Sequence, residues 1–148
     1  MKRARTLIAG ICLLLATSTL LSAAPASAVS SLDTKMLSAT NSARLARGEH
    51  RLKLNVRMSA RAFKHSEAMA RAGTLFHTAN VGTYLAGVPW HVWGENVGVT
   101  SGSISGLQRA FMHSTDHRRN ILNRAFHHVA IGVYEHAGRL WVTVFFYG

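Results

Sequence analysis

The chain's C-terminal end restricts its fold more than any other segment. His128-Val-Ala-Ile-Gly-Val-Tyr134 and Leu140-Trp-Val-Thr-Val-Phe-Phe-Tyr147 are rich in β-branched and aromatic residues, and the Glu135–Arg139 stretch between them contains Gly138. That pattern predicts an antiparallel hairpin. An isolated hairpin is marginal in water, so these strands need a partner layer from upstream. Upstream the hydrophobic period changes from strand to helix. Leu32, Met36, Ala39, Ala43 and Ala46 recur at three- and four-residue steps, with Ser31 or Asp33 as a start and Gly48 as an end. Asn55 reads as the N-cap of a second helix, striped by Met58, Ala62, His65 and Met69 and stopped by Gly73. Gly82, Gly87, Pro89 and Gly94 mark residues 78–94 as a loop, and Val97-Gly-Val99 as a short strand. A third helix is expected over Gly106 to His113, starting near Ser103 or Ser105. Helices around a small antiparallel sheet make an α+β class, in one domain without internal repeats.

The 148 residues include a segment that does not belong to that domain. Lys2, Arg3 and Arg5 precede an uncharged run from Leu7 to Leu21, and Ala26-Ser27-Ala28 follows. The run has signal-peptide length and is short for a bilayer span, so residues 1–28 are expected to be a leader cleaved after Ala28. The lone cysteine, Cys12, lies inside the apolar run behind Ile11, a poor context for lipidation. Residues 29–148 are then free of cysteine, and an exported domain without disulfides must depend on its core. At this length it should bury roughly 65% of its unfolded surface. No second apolar run of spanning length follows. A secreted, extracellular monomer with no membrane span after cleavage is the expectation.

Charge adds a second constraint. With Lys2, Arg3 and Arg5 removed, 14 of the 17 basic residues stand against all six acids, a balance of +8. Nine basic residues fall between Lys35 and Arg71. At 100° per residue, Arg57, Arg61, Lys64 and Arg71 share one side of the second helix, beside its apolar stripe. Such a ridge suits an anionic cell-envelope polymer or lipid, or is a solvated face that keeps the protein soluble. Export and the lack of any recognition-helix or aromatic RNA-binding motif argue against nucleic acid.

Several short motifs follow one another at fixed spacing: Asn41-x-x-Arg44, Gly48, Leu52-x-x-Asn55-x-x-Met58, and Ala62-x-x-His65-Ser-x-x-Met69-Ala70. His77, Gly94-Glu95-Asn96 and Ser114-x-x-His117-Arg118-x-Asn120-Ile121-Leu122 come next. The ordered set resembles the CAP superfamily of cysteine-rich secretory, antigen 5 and pathogenesis-related 1 proteins. It is most similar to the compact, SCP-like bacterial branch that typically lacks disulfides. The resemblance spans about residues 33–148 and implies an α-β-α sandwich with a central cleft. By motif position His77, Glu95 and His117 are similar to three members of the family's cavity tetrad. The second Glu of animal and plant members falls at Ser114, its preceding Trp at Phe111, and the Pro that follows Ser in many bacterial members at Thr115. Any mechanism needing two carboxylates in the cleft is thereby put in doubt.

Two imidazoles and a carboxylate are a partial ligand set for zinc or another divalent cation, with His77 and His117 as ligands and Glu95 as the third. Their spacing carries no metal signal by itself; only the resemblance brings them together. A hydrogen-bonded His–Glu–His cluster that orders the surrounding loops is the plainer alternative. For hydrolysis, a zinc-bound water is one route. A glycosidase built on Glu95 would need a second carboxylate, for which Asp116 is the nearest candidate. A Ser114–His117–Glu95 nucleophilic set lacks the strand-turn-helix elbow, and Ser114 reads better as a cap for the turn carrying His117. Asn96 and Asn120 flank the cleft and are expected to bond nearby backbone. His65 is read as a core histidine, and Trp90, Trp93, Phe126 and Trp141 as core aromatics or the lining of an apolar pocket. The chain is therefore expected to be a secreted, non-enzymatic binding module whose His77–Glu95–His117 cleft takes a ligand, with Ser114, Asn96 and Asn120 around it. A cleft hydrolase acting on envelope material is the alternative. The resemblance further implies an extracellular role with lipid or sterol ligands in some branches.

Overall fold

The computed structural model describes residues 29–148. The expected leader, its cleavage site at Ala28 and Cys12 lie outside the described residues. The elements run α1 (Ser31–Leu45), β1 (Lys53–Leu54), α2 (Val56–Ala72), α3 (Val81–Tyr84) and β2 (Trp93–Thr100). They continue with α4 (Ile104–His113), α5 (Thr115–Ile121), β3 (His128–His136) and β4 (Arg139–Tyr147).

Local chemistry accounts for most helix boundaries. Ser30 and Asp33 form a reciprocal capping box at the start of α1, Asn55 Oδ1 accepts from the Met58 amide, and Ser103 Oγ accepts from the Gly106 amide. Gly73 ends α2 at φ +66°, a conformation in which a Cβ would be strained. The β3–β4 hairpin closes on Ala137-Gly138 with both residues at positive φ. That is the primed turn whose twist matches the flanking strands.

The sheet order is β1-β3-β4-β2, antiparallel except for the short parallel pairing of β1 with β3. The small antiparallel sheet expected from the sequence is its body, and the two-residue β1 pairing is a parallel addition at one side. The parallel contact arises because Lys53-Leu54, in the connection between α1 and α2, runs alongside the start of the hairpin. The loop expected over residues 78–94 contains α3 and the first two residues of β2.

Residues alternate between two layers. Val129, Ile131, Val133, Val142, Val144 and Phe146 pack against Met36 of α1, Leu107 and Phe111 of α4, and Ile121 of α5. Ala130, Phe145 and Tyr147 face the opposite way, against Met58 and Ala62 of α2 and against Tyr84 and Leu85. The result is an α-β-α sandwich. Beyond β1, strand β3 is an edge, and buried side chains occupy its free amides: Ser59 Oγ accepts from Ile131 N–H and Asp33 Oδ1 from Val133 N–H. Asp33 thereby joins the α1 cap to the sheet and closes an edge that would otherwise offer pairing sites.

Candidate functional site

Strand β2 is the opposite edge, paired only with β4. Gly94 and Gly98 face α4 and α5. A Cβ at Gly98 would lie 2.9 Å from the Phe111 ring, and one at Gly94 2.7 Å from Asn120 Oδ1 and 2.9 Å from Phe126. Two glycines are needed for that approach, and they hide the strand from propensity-based reading. Glu95 faces the other way, toward α2, with its side chain only 1% exposed.

Glu95 is the hub. Its Oε2 accepts from His77 Nδ1 at 2.7 Å and from the Thr78 amide at 2.9 Å, and its Oε1 from Thr78 Oγ1 at 2.7 Å. His65 Nε2 lies 3.8 Å from Oε1 while donating to the Phe76 carbonyl at 2.9 Å. The buried carboxylate thus fixes the loop after α2 by its side chains and its backbone. Bonding through Nδ1 leaves His77 Nε2 free on a side chain 62% exposed. Tyr84 completes this side. Burial pushes its phenol well above the usual tyrosine range, the Glu95 charge adds to that shift, Arg61 opposes it, and its buried hydroxyl has no hydrogen-bond partner among the described residues.

Across the strand edge, Asn120 Nδ2 donates to the Glu95 carbonyl at 3.1 Å and to Asn96 Oδ1 at 2.9 Å, and Asn96 Nδ2 donates to the His117 carbonyl at 3.0 Å. The two asparagines therefore brace β2 to α5 through backbone distant in sequence, where nearby turns were expected. His117, on α5, packs its ring against Phe111 with centroids 4.7 Å apart and the planes tilted by 37°. Burial depresses its pKa, the neighbouring His77 depresses it further, and Asp116 partly opposes both. Ser114 occupies the N-cap of α5, but its side chain makes no capping hydrogen bond and none joins it to His117. Its carbonyl accepts from Arg118 N–H instead. Asp116 is 86% exposed at its side chain and sits 3.4 Å from Arg119.

The residues meet a zinc centre poorly. Structural and catalytic zinc sites use three or four protein ligands, and among the described residues no group of three His, Cys, Asp or Glu side chains is arranged to hold a metal ion. Glu95 is already committed to three donors.

The basic ridge is reduced by its own neighbours. Arg57 donates to the Gly87 carbonyl, and Arg61 to the carbonyls of Thr83, Tyr84 and Ala86. The carbonyls at the end of a short helix need donors, and these guanidinium groups supply them. Arg71 pairs with Glu67 at 2.8 Å. Of the four residues, Lys64 alone makes no such contact among the described residues.

Two hollows meet at His77. A cleft of about 580 Å³ runs between α2 and residues 76–84, with Lys64, His65, Phe76, His77 and Tyr84 in its walls. A second, of about 300 Å³, is lined by His77, Trp93, Gly94, Glu95 and Asn120. Sequence reasoning missed Thr78 and Tyr84 and placed His65 in the core. The stripe of α2 does carry His65 inward, but its partners come from residues 76 and 95, which no helical period reveals. Trp93 is exposed, whereas Phe126 and Trp141 are buried as expected.

The depressed pKa values of His117 and His128 have a definite sign. In the unfolded chain these rings protonate near 6.5, while the folded protein resists protonation. Stability is therefore complete above that range and declines as pH falls through it to the lower folded-state values. His117→Gln is expected to flatten the decline, measured as urea midpoints between about pH 8 and about pH 5. An unchanged slope would assign the loss to other groups.

Residues 37–146 match the family model described as the cysteine-rich secretory protein family, CAP. Protein YkwD of Bacillus subtilis is 28% identical over 127 residues, which are 80% of this chain and 48% of that protein, so the chain spans about half the curated relative's length. Among solved structures, an extracellular protein containing an SCP domain from Bacillus anthracis superposes with a TM-score of 0.68 at 25% identity, over 77% of this chain and 39% of that one. An outer surface protein of Borrelia burgdorferi shares the fold at a TM-score of 0.69 and 13% identity, over 78% of this chain and 91% of that one. With three-quarters of its length under the family model and the sandwich in place, the chain belongs to the cysteine-rich secretory protein (CAP) family.

Proposed function

We propose that this protein is a secreted binding module that takes its ligand at the cleft around His77, and that it is not a hydrolase. The observation that carries the reading is the state of Glu95. Three protein donors occupy three of the roughly four lone-pair positions of a carboxylate, so the group acts as a loop anchor with little capacity left for proton transfer. Asp116, the second carboxylate a glycosidase would need, points into solvent beside Arg119. His77 Nε2 and the apolar surface of Phe76 remain for a ligand. Export is supported by the signal-like N-terminal sequence, and among the described residues no helix is long and apolar enough to cross a membrane. A divalent cation such as zinc is, on this reading, a weak ligand of the His77 and His117 imidazoles and no resident cofactor.

The test compares residues 29–148 with the His117→Ala variant for breakdown of casein and of peptidoglycan. Neither protein is expected to exceed the blank; turnover present in the parent and lost in the variant would establish the hydrolase instead. Zinc calorimetry on the same proteins and on His77→Ala is expected to show weak binding that either substitution removes. Tight one-to-one binding would make the cleft a metal centre.

A further inference from the structure

We propose that Trp93 is the stacking platform of a sugar subsite at the mouth of this cleft, taking a neutral hexopyranose ring of a glycan. The inference rests on the cleft being a ligand site and adds what kind of ligand it holds. Trp93 opens β2, opposite Tyr147, and is 43% exposed. One face of its indole stacks on Phe145 at 5.8 Å and 10° between planes, and Phe145 stacks in turn on Tyr84 at 4.3 Å and 24°. The ring is thus backed by an ordered aromatic column, while much of the residue faces solvent. The backbone beside it is pinned, because Val92 and Gly148 exchange amide-to-carbonyl hydrogen bonds. A platform held this way loses little conformational freedom on binding.

Its surroundings suit a sugar. Trp93 borders the 300 Å³ hollow shared with His77, Gly94, Glu95 and Asn120, a volume at the lower end for small-molecule sites. Trp93 and Glu95 lie on the same face two residues apart, about 7 Å along the strand, so one ring stacked on the indole comes within reach of the polar groups beside Glu95. His77 Nε2 is available to a hydroxyl, and Asn120 Oδ1 accepts no hydrogen bond among the described residues. The weakly positive C–H bonds on a pyranose face match the negative face of an indole. The ligand should be uncharged, since Glu95 is largely occupied by its own donors and no lysine or arginine lines the hollow among the described residues. Leu75, Phe76 and Val92, each 37–42% exposed, add further apolar surface in the same segments.

Titration with N,N′,N″-triacetylchitotriose and, separately, with cellotriose tests this, followed by calorimetry and by the Trp93 indole N–H signal, which Trp93→Phe identifies. Saturable binding to at least one of them is expected, with a shift of that signal; chitotriose alone would assign recognition to the acetamido group. Trp93→Ala should weaken binding roughly tenfold or more while the protein stays folded, with a small drop in urea midpoint from the lost Phe145 stacking; Trp93→Phe should weaken it less, and His77→Gln should weaken it severalfold. No saturable binding to either sugar, or parent-like binding by Trp93→Ala, overturns the sugar subsite while leaving the binding-module reading in place. Turnover that depends on His117 would instead overturn the binding-module reading.

Discussion

Gly132→Ala is expected to lower folding stability by at least about 3 kcal/mol, beyond the usual cost of an overpacked core. Gly132 sits in the middle of β3, on the face toward α2. A Cβ there would fall inside the van der Waals envelope of the Phe63 amide nitrogen and Cα and of the Ala62 carbonyl carbon. All three are backbone atoms of α2, so no side-chain rotation relieves the overlap and the helix must lift away from the sheet. Small residues along α2 allow this approach: Ser59, Ala62 and Ser66 are all buried there. Ser66 Oγ donates to the Gly132 carbonyl at 2.8 Å and is 2.9 Å from Thr143 Oγ1. A lifted helix would break those bonds together with the Met58 and Ala62 packing, and would carry His65 away from Glu95. The check is urea unfolding beside two other glycine variants. Gly98→Ala meets the Phe111 and Leu107 side chains first, at 2.9–3.0 Å, where side chains rather than backbone must give, and Gly138→Ala meets nothing within 4 Å but carries the strain of φ +69°. Each should lose about 1–2 kcal/mol. A Gly132→Ala protein as stable as either would show that the helix can shift without loss.

The difference between those glycines also separates what the sequence declares from what it conceals. Features set by neighbouring residues were legible. Asn55 and Ser103 cap the helices they precede, Gly73 ends one, and the terminal hairpin follows its β-branched alternation. Features set by partners far along the chain were not. Gly132 reads as a weak point in a strand until α2 is laid across it, and Gly94 and Gly98 disguise most of β2 for the same reason. The helical period puts Arg57 and Arg61 on one side of α2, yet only the fold shows that the carbonyls of residues 83–87 take them up. At the site, His77 and Glu95 were brought together by family resemblance and the structure joins them directly. Thr78, the other donor to the carboxylate, has no signal beyond following His77.

Arg44 carries the second large effect: Arg44→Ala is expected to cost roughly 3–5 kcal/mol, a fall in Tm of about 12–20 °C for a domain this size. The residue is fully buried, and among the described residues its guanidinium has no hydrogen-bonded carboxylate. It donates instead to four backbone carbonyls: His50 at 2.8 Å, Ile121 at 2.7 Å, Asn123 at 2.9 Å and Phe126 at 3.4 Å. Burial lowers its pKa, and the charge of Glu49 opposes that shift. Two of the acceptors belong to the end of α5 and the turn beyond it, where carbonyls lack helical partners and the helix dipole is negative. A cation with a planar fork answers both needs at once. Its removal would leave the His50 and Ile121 carbonyls without a partner among the described residues and open a buried cavity, while the Asn123 and Phe126 carbonyls would keep the Phe126 N–H and His50 Nε2. Arg44→Lys separates charge from shape, since one ammonium cannot match the fork on all four acceptors. It should retain the fold with an intermediate loss, and its amides over residues 121–126 should exchange faster than the parent's while those of β3 and β4 stay protected. Because α5 also holds His117 and Asn120, the same loosening should release the brace on β2. A lysine variant with parent-like exchange over residues 121–126 would mean that charge alone is enough and that the fork is dispensable.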